Sequence, residues 1–444
     1  MDIQRLQLYG QWIRHIQISS FAEKVSGHIY SAIARYMFGK CLFPALKSLH
    51  IHSLIDILHE NFQILLLLAS SPLSTIEIKK VKSKCRVHLG AFLHEMSRLH
   101  SAENHPVSTL CLGGAIGSSV LPHLEGFAGI SNLTLMQQAT VFRIENLRSL
   151  AKYLASLSVL ELNFLPVDGN QAIYPSPNSV VNRFKRLHTL LLSAHAVQVL
   201  GILRYIYGEH LSRVNLNFFG LGPGAPTDVL RSCVERCTNM TPTLLHLQLT
   251  FSKTMILPKD VFSPLRGHHL HIRSLEIKSH MVDSACLQTL FWQGAGEWSD
   301  LEVLKFEHHE AQPVASFPST LMADLLLLSL LCTSAPKLHT LDIYLCHPDT
   351  DAAVSEALLR SQMQAMEQST HGLLNLKILL MDSSSVTPFT MRDITLAITT
   401  SRFISHLFPN VQHLDISHYQ QSRNPGWKDW CRGVVEMSTT LKAR

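Results

Sequence analysis

Histidine is the residue type in this chain whose chemistry first suggests a metal site. There are 26 histidines among 444 residues, and the densest groups are "RGHHLHI" at 266–272 and "FEHHEA" at 306–311. Zinc needs three or four side chains that converge on one point, whereas neighbouring histidines on an extended chain point to opposite sides. The chain also has no C-x-x-C or H-E-x-x-H spacing. We therefore expect these histidines on loops and sheet surfaces, and we expect no metal site.

Glycine-rich turns are the second candidate for chemistry, because backbone amides at such turns can bind phosphate. The two richest are "LGGAIGS" at 112–118 and "GLGPGAP" at 220–226. Neither matches G-x-G-x-x-G or the lysine-bearing P-loop, and Pro223 has no amide hydrogen to donate. Nucleophile-elbow and paired-carboxylate spacings are also missing. We expect strand-to-helix turns, no cofactor and no catalysis, with an unrecognised enzyme as the minor alternative.

Composition excludes further classes of function. Hydrophobic residues make up 46% of the chain and charged residues 16%, which indicates a large buried core. The net charge of +5 is spread along the whole length, and the densest basic run, "IKKVKSK" at 78–84, is short. We therefore expect neither nucleic acid nor anionic lipid as a partner. The longest apolar run, Leu325–Cys332, falls short of the roughly 20 residues that a membrane-spanning helix needs.

Cysteine usage and the first residues bear on cellular location. The nine cysteines are odd in number and scattered, which is typical of a reducing compartment. The opening "MDIQRLQLYGQW" lacks the basic region and apolar run of a signal peptide. The sequence therefore predicts a cytoplasmic or nuclear protein.

The elements that would position any functional residue are indicated by a repeated stretch. "FPALKSLHI" at 43–51 returns near the other end of the chain as "FPNVQHLDI" at 408–416. Both contain the pattern apolar-x-x-apolar-x-apolar, which in the first copy is Leu46, Leu49 and Ile51. Such a pattern, alternating in its second half, predicts a short strand with one buried face.

The same pattern can be placed along the whole chain at an average spacing of about 31 residues, near the upper edge of leucine-rich repeat periods. Because an apolar chain produces many chance matches, the recurring polar letters in "KRLHTLLL" at 185–192 and "APKLHTLDI" at 335–343 are the better evidence. The fourteen first apolar residues are Ile13, Leu46, Leu73, Val107, Ile130, Leu157, Leu187, Leu211, Leu244, Ile272, Leu301, Leu338, Leu376 and Val411.

Segments between the matches show helical spacing instead. In 141–155, Ile144, Leu147, Leu150 and Leu154 recur three or four residues apart. In "PTDVLRSCVERC" at 226–237, Thr227 and Asp228 resemble a helix cap. The apolar residues that follow are Leu230, Cys233, Val234 and Cys237.

One such strand and helix cannot fold alone, because ordering about 30 residues costs several times the roughly 5 to 9 kcal/mol that three buried side chains contribute. Stacked units would form an α/β solenoid, with a curved parallel sheet on the concave face and helices on the convex face. We expect a lead-in or cap over 1–12, the solenoid over 13–423 and a C-terminal capping helix over 424–444.

With these repeats the chain resembles leucine-rich repeat proteins, and most closely the fungal F-box/leucine-rich-repeat-like class. The segment "LYGQWIRHIQI" at 8–18 is similar to the segment that follows the F-box in that family. The resemblance implies an F-box that recruits the Skp adaptor and cullin scaffold of a ubiquitin ligase, and a repeat arc that captures a protein substrate. Nothing before Tyr9 corresponds to an F-box. Either the F-box precedes Met1 in the gene or this chain is a repeat scaffold unrelated to ubiquitination.

The repeats also depart from the regular family pattern. Regular repeats carry Asn or Cys eight residues after the first apolar position, and here only Cys346 does so. We therefore expect an irregular arc.

The concave face is the remaining candidate for function. Side chains alternate along a strand, so residues two, four and six places after the first apolar position should face the concavity. The fourth-place residues include five acids and one lysine, and the match at Leu376 places Leu380 and Asp382 on this face. The predicted partner-binding residues are Glu161, Asn163, Asn215, Asn217, Gln248, Glu276, Lys278, Lys305, Glu307, Asp342 and Tyr344.

A mixed and somewhat acidic surface of this kind predicts a protein partner. Charge reversal at Glu161, Glu276 and Asp342 is expected to weaken binding of that partner.

Overall fold

A computed structural model covers the chain, which divides into two compact units, Met1–Ala225 and Pro226–Arg444. The residues that the structure describes are 3–19, 27–37, 41–54, 62–69, 71–103, 107–116, 120–136, 144–164, 182–221, 225–226, 228–252, 255, 257–258, 260–265, 271–279, 290–291, 298–308, 321–346, 357, 359–361, 363–364, 371–381, 391–418 and 425–442.

The first unit is built on parallel strands that follow one another in chain order. Its described strands are β1 His15–Ile18, β2 Ser48–Ile51, β3 Thr75–Val81, β4 Thr109–Gly114, β5 Asn132–Met136, β6 Val159–Asn163, β7 Asn182–Arg183, β8 Thr189–Ala194, β9 Ile206–Tyr207 and β10 Arg213–Phe218. Eight of them are ordered β1-β2-β3-β4-β5-β6-β8-β10, and the two short strands β7 and β9 pair with each other. All these pairings are parallel.

Helices occupy many of the connections in the first unit. The described α-helices are α1 Ile3–Gly10, α2 Gly27–Met37, α3 Phe62–Ala69, α4 Arg86–Glu103, α5 Ile144–Tyr153 and α6 Ala196–Leu203. Short 3-10 turns at Ser83–Cys85 and Leu121–Leu124 serve in other connections. The predicted alternation of strand and helix therefore occurs, with turns replacing some helices.

The second unit repeats this arrangement. Its described strands are β11 His246–Phe251, β12 Ser274–Ser279, β13 Val303–His308, β14 Thr340–Cys346, β15 Asn375–Met381 and β16 His413–His418, all parallel and in chain order. Its described α-helices are α7 Val229–Asn239, α8 Leu321–Ser334, α9 Met391–Leu407 and α10 Pro425–Lys442, and a 3-10 turn lies at Ser263–Leu265.

The apolar pattern sets the strand positions. In thirteen of the fourteen matches, the strand begins two residues after the first apolar residue, as β2 does after Leu46 and β16 does after Val411. In β2 the second and third apolar residues, Leu49 and Ile51, are completely buried. The prediction of strands from this pattern is confirmed at these thirteen positions.

The match at Leu376 was placed in the wrong register. Leu376 pairs with Leu341, which is the second apolar residue of its own repeat. The true first residue is therefore Leu373, which is completely buried. The sequence around it, "LLNLKILLM", satisfies the pattern in two registers three residues apart, so the pattern alone could not choose between them.

The correction changes which side chains belong to the predicted face. Lys377 takes the fourth place in this repeat instead of Leu380, and Leu379 takes the sixth place instead of Asp382. Asp382 lies outside the described residues. The fourth-place residues thus comprise five acids and two lysines, so the predicted acidic excess is smaller than the sequence suggested.

The predicted helical faces are largely as expected. On α5, Leu147 and Leu150 are buried, as is Leu154 just after the helix. On α7 the four apolar residues named above are buried. Asp228 stands at the N-cap of α7, but its side chain makes no capping hydrogen bond, and Thr227 lies outside the described residues.

A long helix occupies the predicted capping segment. Helix α10 packs against α9 and β16, and its Val434 is completely buried. Its role as a cover for the last repeat stays a prediction. Among the described residues, no helix is both long and apolar enough to cross a membrane.

Candidate functional site

The candidate site is the sheet face that the core does not cover, here called the open face. It consists of the residues two, four and six places after each first apolar residue. Along β5 and β6 these residues are half-buried while their neighbours in the strand are buried. The sheet therefore has one apolar side against the core and one polar side that is accessible.

The predicted partner-binding residues lie on this face. The half-buried ones are Glu161, Asn163, Asn215, Asn217, Gln248, Glu276, Lys278, Lys305, Glu307 and Asp342. Tyr344 belongs to β14, but its side chain lies outside the description. The ten side chains that strand alternation predicted on one side of the sheet therefore all lie on the open face.

The fourth-place residues form a continuous row across each unit, because neighbouring strands pair them side by side. The central row of the first unit is Gln17, His50, Glu77, Cys111, Thr134, Glu161, Leu191 and Asn215. The central row of the second unit is Gln248, Glu276, Lys305, Asp342, Lys377 and Asp415.

In the second unit the central row alternates in charge. Lys305 Nζ lies 3.5 Å from Glu276 Oε1, and Lys377 Nζ lies 3.6 Å from Asp342 Oδ2. Paired strands are only about 4.8 Å apart, so opposite charges at the same register come into contact. Each of these two carboxylates therefore already has a cation beside it on the open face.

The sixth-place row of the second unit shows the same compensation. Lys278 Nζ lies 3.2 Å from Glu307 Oε2 across β12 and β13. Opposite charges directly across strands contribute a few tenths to about 1 kcal/mol each. These ion pairs thus favour the observed register between neighbouring strands, and they reduce the uncompensated charge on the open face.

Burial affects the ionisation of one of these acids, Asp342. Desolvation raises the pKa of Asp342, while Lys377 and Lys305 act in the opposite direction and Glu307 adds to the rise. Ionised Asp342 is therefore less stable in the folded chain than in water.

In the first unit the central row contains one compact charged group. Glu77 accepts hydrogen bonds from Lys79 Nζ at 2.7 Å and lies 2.7 Å from His50 Nδ1. The hydrogen bond from Lys79 is the main reason why the pKa of Glu77 is lowered. Glu77 therefore already has one partner on its own strand and one on β2.

Cys111 lies next in the same row and could be considered as a nucleophile. Burial, with smaller contributions from Glu77 and Glu161, raises the pKa of its thiol to about 11. A thiol with such a pKa is protonated at neutral pH and is a poor nucleophile. Within the part of the chain that the structure describes, no group of three or more His, Cys, Asp or Glu side chains could hold a metal ion.

Glu161 differs from the other acids of the row. It accepts a hydrogen bond from Thr134 Oγ1 at 3.1 Å, and its neighbour on the other side is the apolar Leu191. Within the described part of the chain, no cationic side chain forms an ion pair with it. It is a half-buried carboxylate without a compensating charge.

A serine ladder borders the open face of the first unit, and sequence reasoning missed it. Each serine directly follows the first apolar residue of its repeat, and each hydroxyl donates to the backbone carbonyl of the equivalent residue one repeat earlier. The serines are Ser74, Ser108, Ser131 and Ser158, with donor–acceptor distances of 3.0 to 3.1 Å. Their own amides donate to the same carbonyls. The signal was visible as apolar-Ser in four consecutive repeats.

In three repeats of the second unit the equivalent position is occupied by Arg273, Glu302 and His339. Arg273 Nη1 lies 3.8 Å from Glu302 Oε1, and His339 Nε2 lies 4.0 Å from Glu302 Oε2. Two residues earlier in each repeat, Asp300 contacts Lys337 Nζ at 2.6 Å and His271 Nδ1 at 2.7 Å. Hydrogen bonds from these two groups lower the pKa of Asp300 to about 2.

Together these features define the class of the protein. Each unit is a leucine-rich-repeat-like α/β solenoid: its parallel strands follow chain order, each strand starts from the same apolar pattern, and equivalent residues form rows across successive repeats.

Similarity between this chain and known proteins is low. No protein-family model matches the chain, and no curated protein matches it. The crystal structure of the Rad7 and Elc1 complex in yeast aligns with 77% of this chain and 79% of its own chain, at 14% identity and a TM-score of 0.36. The leucine-rich repeat-containing protein LegL7 from Legionella pneumophila aligns with 96% of this chain and 98% of its own, at 13% identity and a TM-score of 0.36. Structural similarity at these TM-scores does not support any assignment. The class of the protein is therefore inferred from the strand order and register of the chain itself.

Proposed function

We propose that the chain is a protein-binding repeat module that takes its partner on the open face. The observation that carries this proposal is a continuous row of mostly polar side chains in each unit, half-buried or exposed, paired from strand to strand and accessible from one side. Eight parallel strands span about 33 Å along such a row. That length suits an extended protein segment or the surface of a small domain better than a small molecule, which needs a concave pocket.

A directed comparison of two faces tests this function. Ser193 is half-buried on β8 at the sixth place of its repeat, and Arg148 is exposed on the outer side of α5. Ser193→Arg would place a long charged side chain on the open face and should abolish binding of a protein recovered with the full chain. Arg148→Glu should leave the binding intact. The reverse result would mean that the partner uses the helices.

The finer part of the proposal is a substrate-recognition role in an F-box type ubiquitin ligase, in the cytoplasm or nucleus. It is supported by the resemblance of "LYGQWIRHIQI" at 8–18 to the segment that follows the F-box in that family. The Skp adaptor and the cullin scaffold would then be further partners. Purified Skp adaptor should be retained by the full-length gene product, and failure to retain it would leave a repeat scaffold unrelated to ubiquitin transfer.

A further inference from the structure

We infer that the open face of the first unit binds a lysine or arginine side chain at Glu161, presented by an extended segment of the partner. This inference rests on the proposed function and adds the chemistry of the partner and the place where it binds. The carboxylates of the open face differ in whether a cation already contacts them.

In the second unit, the carboxylates in ion pairs have little to offer a basic partner. Glu276 and Asp342 each contact a lysine on the neighbouring strand, at 3.5 and 3.6 Å. An incoming cation would meet a negative charge that this lysine already compensates in part, so it would gain less than at a carboxylate without an ion pair. In the first unit, Glu77 is in the same position because of Lys79 and His50.

Within the central row of the first unit, Glu161 is the acid for which an incoming cation would be a net gain. Its described polar partner is the hydroxyl of Thr134, which leaves the negative charge uncompensated. The nearest cation on the open face towards β10 is the exposed Arg213, two strands from β6 and at the second place of its repeat. The face around Glu161 is therefore complementary to a single positive charge.

The neighbours of Glu161 suit the rest of a basic residue. Leu191, its register partner on β8, is half-buried and offers an apolar surface. Lysine and arginine carry apolar stems that pack on such surfaces while their charged ends reach a polar group. A phosphate or nucleic acid would instead be repelled by the carboxylate, so a protein segment is the occupant that the charge favours.

The adjacent sixth-place row provides groups for a peptide backbone. Asn163, Ser193 and Asn217 lie side by side on β6, β8 and β10. Amide and hydroxyl side chains both donate and accept hydrogen bonds, as the peptide groups of an extended segment require. About ten extended residues span the width of the eight strands.

Selection from a phage library of random twelve-residue peptides tests the inference on the full chain. Peptides enriched on the wild-type chain should carry a lysine or arginine. A synthetic copy should bind the wild-type about tenfold more tightly than the Glu161→Gln variant in fluorescence anisotropy. Glutamine keeps the size of the side chain and can still accept from Thr134, so the fold should be preserved. The matched control, Glu276→Gln, should change the affinity less than about twofold, because Glu276 already has Lys305.

Exchanging the charges between position 161 and the peptide tests the contact by restored binding, which a misfolded chain would not show. Glu161→Lys should abolish binding, and replacing the basic residue of the peptide by glutamate should restore it. Equal affinity for the wild-type and Glu161→Gln chains, combined with loss of binding in Ser193→Arg, would overturn this inference and leave the proposed function standing. No enrichment of peptides on the wild-type chain would overturn this inference alone, because a folded domain could still bind the open face. Peptide binding that is unaffected by both variants would contradict the proposed function as well.

Discussion

Lys377 Nζ lies 3.6 Å from Asp342 Oδ2, and the two residues are register partners on the neighbouring strands β14 and β15. This contact brings together two side chains that the apolar pattern alone had assigned to different rows. It fixes Leu373 as the first apolar residue of the repeat and makes the central row of the second unit alternate in charge.

The corrected register predicts which side chain of β15 supports the core. Ile378 is 2% exposed, whereas the uncorrected register would place it on the open face. Ile378→Ala should therefore lower the free energy of unfolding by about 2 to 5 kcal/mol in urea denaturation. Lys377→Ala removes only an exposed ion pair and should cost less than about 1 kcal/mol. A small loss from Ile378→Ala would contradict the corrected register.

Replacement of Gly114, at the end of β4, should destabilise the fold. Its φ is +98°, and a Cβ atom there would overlap the backbone of Val81. Gly114→Ala should therefore cost at least about 1 to 3 kcal/mol in thermal or urea unfolding. Gly372 is the matched control, since a Cβ there meets nothing within 4 Å, and Gly372→Ala should be neutral or stabilise slightly. Similar effects of the two substitutions would show that Gly114 is not constrained.

The serine ladder should contribute to stability through its hydroxyls. Ser131 Oγ donates to the carbonyl of Ser108 at 3.1 Å, so Ser131→Ala should cost about 0.5 to 1.5 kcal/mol. It should also speed hydrogen exchange at Asn132, whose amide shares that carbonyl. Ser149 on α5 donates to the carbonyl of Glu145 in the same helix, and Ser149→Ala should be neutral or slightly stabilising. Unchanged hydrogen exchange at Asn132 would show that the Ser131 hydroxyl does not stabilise the neighbouring backbone hydrogen bond.

The pKa of Asp300 predicts a specific acid dependence. Hydrogen bonds from Lys337 and His271 lower this pKa from 3.8 to about 2. A lowered carboxyl pKa stabilises the folded chain above pH 3.8, and this stabilisation is lost as the pH falls through about 2. In a carbon-13 NMR titration Asp300 should still be ionised at pH 3, and Lys337→Met should move its titration towards 3.8. Lys305→Met should not. A wild-type titration near 3.8 would contradict the contacts.

Much of the fold could be predicted because the apolar pattern that marks each strand lies within six consecutive residues. A first apolar residue such as Leu46 is followed at fixed spacing by Leu49 and Ile51, and burial on one side of a strand requires that spacing. The same rule failed at Leu376 because a leucine-rich stretch satisfies it twice. Local pattern therefore locates a strand but can leave its register ambiguous.

Lateral contacts could not be predicted in this way. The pairing of Glu276 with Lys305 depends on residues 29 positions apart meeting on neighbouring strands, and that meeting is visible only once both registers are known. The sequence consequently indicated an acidic face, whereas Glu276, Glu307 and Asp342 of the second unit each contact a lysine. The serine ladder was missed for the same reason, although its apolar-Ser pairs are plain in the chain.

Site-specific photocrosslinking tests the central claim most directly. The reactive residue p-benzoylphenylalanine would replace Leu191, in the central row of the open face, or Arg148, on the outside of α5, in otherwise identical full chains. The protein recovered with the wild-type chain should crosslink at position 191 and not at position 148. Crosslinking at position 148 without crosslinking at position 191 would contradict the assignment of the open face as the binding surface.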